Sequence, residues 1–267
     1  MLSLRFGIHS ISRRAALKKM GRLLFLFGGG EVVRRIMVRP GLAWASNWAY
    51  GYRGCQAAYV TFTSSDPEGI RRIVPEPLQV NTRGILTASF ASMHKVWPEH
   101  ARMSYFVGSL AVPVVYAAQR GFGLQQIEGR FMVNTYTDSP TMASFSRSDW
   151  GYPVEQAQFD WSADGGSVRS RVTKGNTEVA RIAMSLTDAK GPPPAEMDTY
   201  DFNVKRSGPK SELTMTKCRY AEEKLISGTL DDANLFGFEV DQVLDARYRK
   251  YDFFIASPEV IRGYPGQ

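Results

Sequence analysis

Cysteine and histidine are scarce in this chain, with two of the first and three of the second among 267 residues. Cys55 and Cys218 stand in no metal-type spacing, and two cysteines in a chain this long make no disulfide framework. Two reduced thiols and a cytoplasmic location are therefore expected. His9, His94 and His100 form no zinc-type pair with each other at helical spacing or with a cysteine, which argues against a built-in metal site. No apolar run approaches the roughly 18 residues of a membrane span. No glycine-rich phosphate cradle stands out either, because Gly28-Gly29-Gly30 lacks the lysine and the preceding strand that a nucleotide loop needs. No internal repeat is visible.

An excess of basic charge is also missing from most of the chain. The formal net charge is +7, yet residues 1–40 hold nine Lys or Arg and a single acid, Glu31. The remainder carries 24 basic and 25 acidic residues. A nucleic-acid-binding reading of the body loses its support, and no nucleic-acid partner is expected.

The basic segment reads as an amphipathic helix ended by Gly28-Gly29-Gly30, then a short piece from Val32 to Val38 stopped by Pro40. Ser12-Arg13-Arg14 resembles the start of a twin-arginine export signal. The apolar run that follows, Leu23-Leu24-Phe25-Leu26-Phe27, is shorter than such a signal needs. Three roles stay open: packing on the domain or on a partner subunit, electrostatic contact of residues 1–40 with a membrane surface, or targeting. The expected organisation is a basic N-terminal helical extension over 1–50 and one domain over 51–267.

What the body does contain is enough apolar material for a sizeable core, at 43% hydrophobic and 12% aromatic residues. From Gln56 the pattern turns to period two, and Ala58 to Thr63 alternates as a half-buried strand does. Ser65-Asp66-Pro67-Glu68 fits a helix start, with Ser65 as cap and proline in the first turn, and Val74-Pro75 stops that helix. Strand-like runs follow at Ile85 to Met93, Tyr105 to Ala117, Gln126 to Tyr136, Ala157 to Trp161, Ser167 to Thr173 and Glu178 to Leu186. Asp164-Gly165-Gly166 and Lys174-Gly175-Asn176 are hairpin turns between them. Past the spacer Gly191-Pro192-Pro193-Pro194, further strands are expected at Tyr200 to Lys205, Glu212 to Glu222 and Tyr248 to Ala256, with a turn-rich stretch at Leu230 to Phe236. The fold class is α+β and mainly antiparallel β, with few, short helices at the edges.

Three segments in order resemble the acetoacetate decarboxylase family. They are Ile73-Val74-Pro75-Glu76-Pro77-Leu78, then Tyr105 with Ala111-Val112-Pro113-Val114, then Asp138, Arg147 and Gly151-Tyr152-Pro153. A weaker match runs from Glu212 to Ile261. The resemblance implies a cone-shaped β-barrel with short peripheral helices, a buried and largely apolar cavity, and assembly into a homo-oligomer. It also implies a Schiff-base lysine, one of a pair directly after the Tyr-Pro, made nucleophilic by desolvation and an adjacent cation. Here those two positions are Val154 and Glu155. Valine forms no imine, and glutamate cannot lower a neighbouring amine's pKa by charge repulsion. The family's strand arginine corresponds to Gln56, and its two carboxylates to Ser89 and Val107. The family's fold is thus expected without its Schiff-base chemistry.

Glu155 is expected to face the cavity as a general acid or base, and Arg147 to bind an oxyanion or to brace the turn. Gln56, Ser89, Tyr105, Val107, Tyr116, Tyr136, Trp150, Tyr152 and Val154 are the expected substrate-binding set. His94 with Glu99 and His100 reads as a solvated loop cluster. The expected function is cofactor-independent cyclisation, isomerisation or elimination on an apolar, carbonyl-bearing small molecule such as a polyketide. A non-catalytic binding protein is the alternative, and a decarboxylase with a displaced nucleophile is the second alternative.

Overall fold

A computed structural model describes residues 48 to 264, apart from 81–82, 99–101, 121–122, 191–195 and 208–209. The expected N-terminal helices, the proline spacer, Glu99 and His100 lie outside the described residues. The described chain is overwhelmingly extended. In order come β1 (Tyr50–Ser64), helix α1 (Pro67–Ile73), β2 (Gln79–Val80), β3 (Ile85–Trp97), β4 (Met103–Arg120) and β5 (Gly123–Thr137). Helix α2 (Pro140–Phe145) runs directly into one π-helical turn (Ser146–Trp150). Then follow β6 (Val154–Gln156), β7 (Gln158–Ala163), β8 (Ser167–Lys174), β9 (Thr177–Lys190), β10 (Glu196–Ser207), β11 (Lys210–Asn234), β12 (Val240–Ile255) and β13 (Glu259–Tyr264).

Most neighbours are antiparallel, and β10 closes the sheet by pairing with both β11 and β5. A ring of strands results, in the order β5-β4-β3-β1-β12-β11-β10, from which β9, β8 and β7 branch at the far half of β11. Closure satisfies the backbone groups that an open edge would leave unpaired. The expected α+β class, mainly antiparallel with short peripheral helices, is what the chain adopts.

Strands β1 and β3 carry buried residues on both faces. On β3, Leu86, Ala88 and Phe90 join a large apolar core, whereas Ala91 and Met93 belong to a second cluster with Tyr52, Tyr105, Trp150, Tyr220 and Phe253. Period two along the strand sends alternate side chains to these two environments. The second cluster surrounds the site described below.

Local departures from the sequence reading have physical causes. The cap of α1 is Asp66, whose carboxylate accepts from Gly69 N at 2.8 Å. Ser65, the expected cap, instead donates to Glu239 at 3.0 Å. The stretch at Leu230 to Phe236, expected as turns, continues as β11 through Asn234 because Leu230 and Ala233 pair with Met184 and Ile182 of β9. Helix α2 has the same start signal as α1: the Ser139 hydroxyl accepts from Met142 N at 3.3 Å, and Pro140 occupies the first turn.

Candidate active site

The stretch from Ser139 to Gln156 builds one wall of a cavity of about 120 Å³. Met142, Ser146 and Trp150 recur every four residues through α2 and the π turn, and all three line it. The side chains between them turn away. Trp150 is 2% exposed, packs edge-on to Phe145 and Tyr50 at 4.6 and 5.0 Å, and donates its indole N–H to Ala256 O at 3.2 Å. Gly151 then reverses the chain at φ 74°, where a Cβ would lie 2.7 Å from the Lys205 backbone. Only glycine fits there. After it, Pro153 O accepts from Thr135 N at 3.2 Å and lays β6 parallel to β5.

Strand β5 supplies the opposite surprise. Leu110 of β4 pairs with Asn134, but Ala111 pairs with Met132, so Val133 is an extra residue. This bulge reverses the in–out alternation. Arg130 and Met132 before it, and Thr135 and Thr137 after it, all line the same cavity.

Two kinds of polar group interrupt an otherwise apolar lining of Ala91, Met93, Val107, Met132 and Val154. The first is a charged network. Arg130 donates from Nε and Nη2 to Asp201 Oδ1 at 3.1 and 2.7 Å, and from Nη2 to the Tyr220 hydroxyl at 2.9 Å. Tyr152 donates its hydroxyl to the other Asp201 oxygen at 2.8 Å. Burial opposes the guanidinium's charge, but Asp201 beside it holds the Arg130 pKa well above its usual value. Burial, and next the Asp201 charge, push the Tyr152 phenol up, so it stays protonated and donates. The second group is a set of hydroxyls: Ser89 and Ser109 meet at 2.7 Å, Tyr105 donates to Tyr52 at 3.2 Å, and Tyr59 donates to Tyr251 at 3.5 Å.

Six of the residues picked from the sequence come together here: Ser89, Tyr105, Val107, Trp150, Tyr152 and Val154. Five do not. Glu155 points away from the cavity side of β6, is exposed, and is ion-paired to Lys174 across the sheet. Strand alternation explains it: Val154 takes the inward place at 4% exposure and Glu155 must face out. Arg147 lies on the outer face of the π turn and donates from Nε to Ala143 O at 3.0 Å, bracing the helix outside the cavity lining. Gln56 accepts from the Tyr248 hydroxyl at 2.6 Å, outside the cavity lining. Tyr116 packs edge-on to Phe202 and Tyr136 stacks on Phe236, both half-buried against the large core.

The sequence reading missed Arg130, Asp201, Tyr220, Tyr52, Tyr59, Tyr251 and Thr135. An arginine on β5 and an aspartate on β10 are far apart in the chain and join only through the parallel β5–β10 pairing, Asp201 opposite Arg130. His94 bonds Ser104 at 3.0 Å on the exposed side of β3, outside the lining. Both cysteines are free and buried, and no group of metal-ligating side chains forms among the described residues. No helix among them is long and apolar enough to cross a membrane.

The sequence matches the model of the acetoacetate decarboxylase family over residues 40–264. No curated protein matches it. Among solved structures, an acetoacetate decarboxylase from Legionella pneumophila superposes with a TM-score of 0.65 at 15% identity, covering 87% of this chain and 96% of that one. The enduracididine biosynthesis enzyme MppR complexed with pyruvate gives 0.64 at 12% identity, covering 83% and 94%. An acetoacetate decarboxylase-like enzyme from Sphingomonas wittichii RW1 gives 0.61 at 14% identity, covering 80% and 93%.

Proposed function

Because the chain belongs to the acetoacetate decarboxylase family, we propose that it is a small-molecule enzyme that works in the family's cavity without a Schiff base. The observation that carries this reading is Val154, which fills the inward position of the missing lysine pair beside the Arg130–Asp201–Tyr152 network. The cavity carries a polar network of its own and no amine at position 154.

Size narrows the substrate. A water takes about 30 Å³ of liquid, and a cavity of about 150 Å³ holds benzene. A space of about 120 Å³ therefore suits a molecule of roughly six non-hydrogen atoms. A short carbonyl-bearing acid fits, and pyruvate, held by the related fold of MppR, is of that size.

The chemistry best supported is proton transfer next to a carbonyl, the step common to isomerisation, elimination and cyclisation. Arg130 would take the ligand's carboxylate or carbonyl oxygen, since its Nη1 has no hydrogen-bond partner among the described residues. Tyr152 would remove a carbon-bound proton while passing its own to Asp201, 2.8 Å away. Burial, and next the Asp201 charge, disfavour a free phenolate at Tyr152, which favours concerted transfer. The enolate oxygen gains from donors already fixed in place.

The test is exchange of the C3 protons of pyruvate and 2-oxobutanoate in D2O, followed by proton NMR, with borohydride added in parallel. Exchange that is lost in Tyr152→Phe, with no reduced adduct on the protein, supports the reading. An adduct on any lysine overturns the non-covalent chemistry. Binding of these acids without exchange favours the non-catalytic carrier.

A further inference from the structure

Four hydroxyls form one straight row across the sheet. Register pairs Tyr59 of β1 with Ser89 of β3, Ser89 with Ser109 of β4, Ser109 with Thr135 of β5, and Thr135 with Val154 of β6. All five residues line the cavity. Side chains directly opposite on neighbouring strands stand about 4.5–5.5 Å apart at Cβ, so hydroxyls in such a row can bond in sequence.

The row is saturated at one end and open at the other. Tyr59 donates to Tyr251 at 3.5 Å, and Ser89 and Ser109 share a bond of 2.7 Å. The Thr135 hydroxyl, on a residue only 6% exposed, has no partner among the described residues. A buried hydroxyl without a partner carries a desolvation cost, and valine would fill the same shape without it. Thr135 also stands opposite Val154, the place where the family's lysine would attach a substrate carbonyl.

We infer that the Thr135 hydroxyl is the hydrogen-bond donor for a substrate carbonyl oxygen, with Arg130 holding the acid end of the same ligand. This rests on the proposed function and specifies how the cavity orients its substrate. The bulge at Val133 is what brings these two β5 side chains to one cavity. A donor here would replace a covalent bond by a directional one: the oxygen is polarised, and the ligand leaves without hydrolysis of an imine.

The probes are 2-oxobutanoate and butanoate, which differ only by the carbonyl, titrated by calorimetry into the wild-type protein and into Thr135→Val, Thr135→Ser and Arg130→Met. Wild-type protein should prefer the oxo acid. Thr135→Val should weaken 2-oxobutanoate about tenfold, as expected for one lost hydrogen bond, and leave butanoate unchanged. Thr135→Ser should restore the preference, and Arg130→Met should weaken both acids. The thermal midpoint of Thr135→Val should rise, because an unpaired buried hydroxyl is removed. Arg130-dependent binding that is indifferent to Thr135→Val overturns the hydroxyl assignment alone. A fall in the Thr135→Val midpoint overturns it too, since the hydroxyl would then have a structural partner. Binding of neither acid by the wild-type protein overturns the proposed substrate class and this inference with it.

Discussion

The carboxylate of Glu155 is clasped by the ammonium of Lys174, on the face of β6 opposite the cavity. The side chains are 49% and 54% exposed, so water screens the pair. This one contact, with the cavity lining, decides which of the two residues after Tyr152-Pro153 faces the cavity. It is Val154.

Exchange of Glu155 for Gln should therefore leave ligand binding unchanged and cost no more than about 1 kcal/mol of stability, the upper range for an exposed pair. Urea unfolding and calorimetric titration with 2-oxobutanoate check both statements. A loss of binding would return Glu155 to the site.

Replacing Val154 by Lys puts an amine into the cavity where the family's lysine would stand. Desolvation should lower its pKa by about 3 units, at a cost of about 4 kcal/mol in stability. With pyruvate and borohydride, mass spectrometry should find a reduced adduct on Val154→Lys and none on the wild type. Absence of the adduct would mean that the inward position lacks room for an imine.

Asp201 neutralises Arg130 inside the ring, its own side chain being 5% exposed. Asp201→Asn should cost about 3–5 kcal/mol, because it strands a guanidinium in a poorly solvated place. Exchanging both, Arg130→Met with Asp201→Leu, should recover much of that loss, since neither charge is then left alone. Equilibrium unfolding of the two variants tests the coupling. Equal stability of the single and double variants would show that the pair is not coupled.

Lys95 is 5% exposed and lies over the Tyr50 ring at 3.9 Å, with Phe145 at 5.3 Å. Burial lowers its pKa in the folded state. The unfolded chain then binds this proton more tightly than the folded one. Stability should rise with pH once pH passes the lowered value, and level off near the ordinary lysine value of about 10.4. Lys95→Met should flatten that alkaline rise, as read from denaturation midpoints measured across it. An unchanged slope would mean that the amine is not desolvated.

Much of the fold was legible because it is local. The alternation of Ala58 to Thr63, the hairpin turns at Gly165 and Gly175 and the proline stop after Ile73 are each set by a few adjacent residues. Helix α2 was legible too and was passed over: Ser139-Pro140 is the same start signal as Asp66-Pro67. Strand β6 was not, since three residues become a strand only because β5 lies beside them.

The site divides along the same line. Val154, Trp150 and Tyr152 could be found because they flank a recognisable turn. Arg130 and Thr135 could not, because period two assigns residues five apart to opposite faces, and only the bulge at Val133 reunites them.

By itself the sequence determined that this chain is a β-rich member of its family in which the residues needed for imine chemistry are replaced. That is a matter of residue identity, and no folding can put an amine on Val154. Only the tertiary structure decided which groups stand in its place. A hydrogen-bonding network is a relation between strands: Arg130, Asp201 and Tyr152 meet through ring closure, and the buried Thr135 hydroxyl beside the cavity has no partner among the described residues.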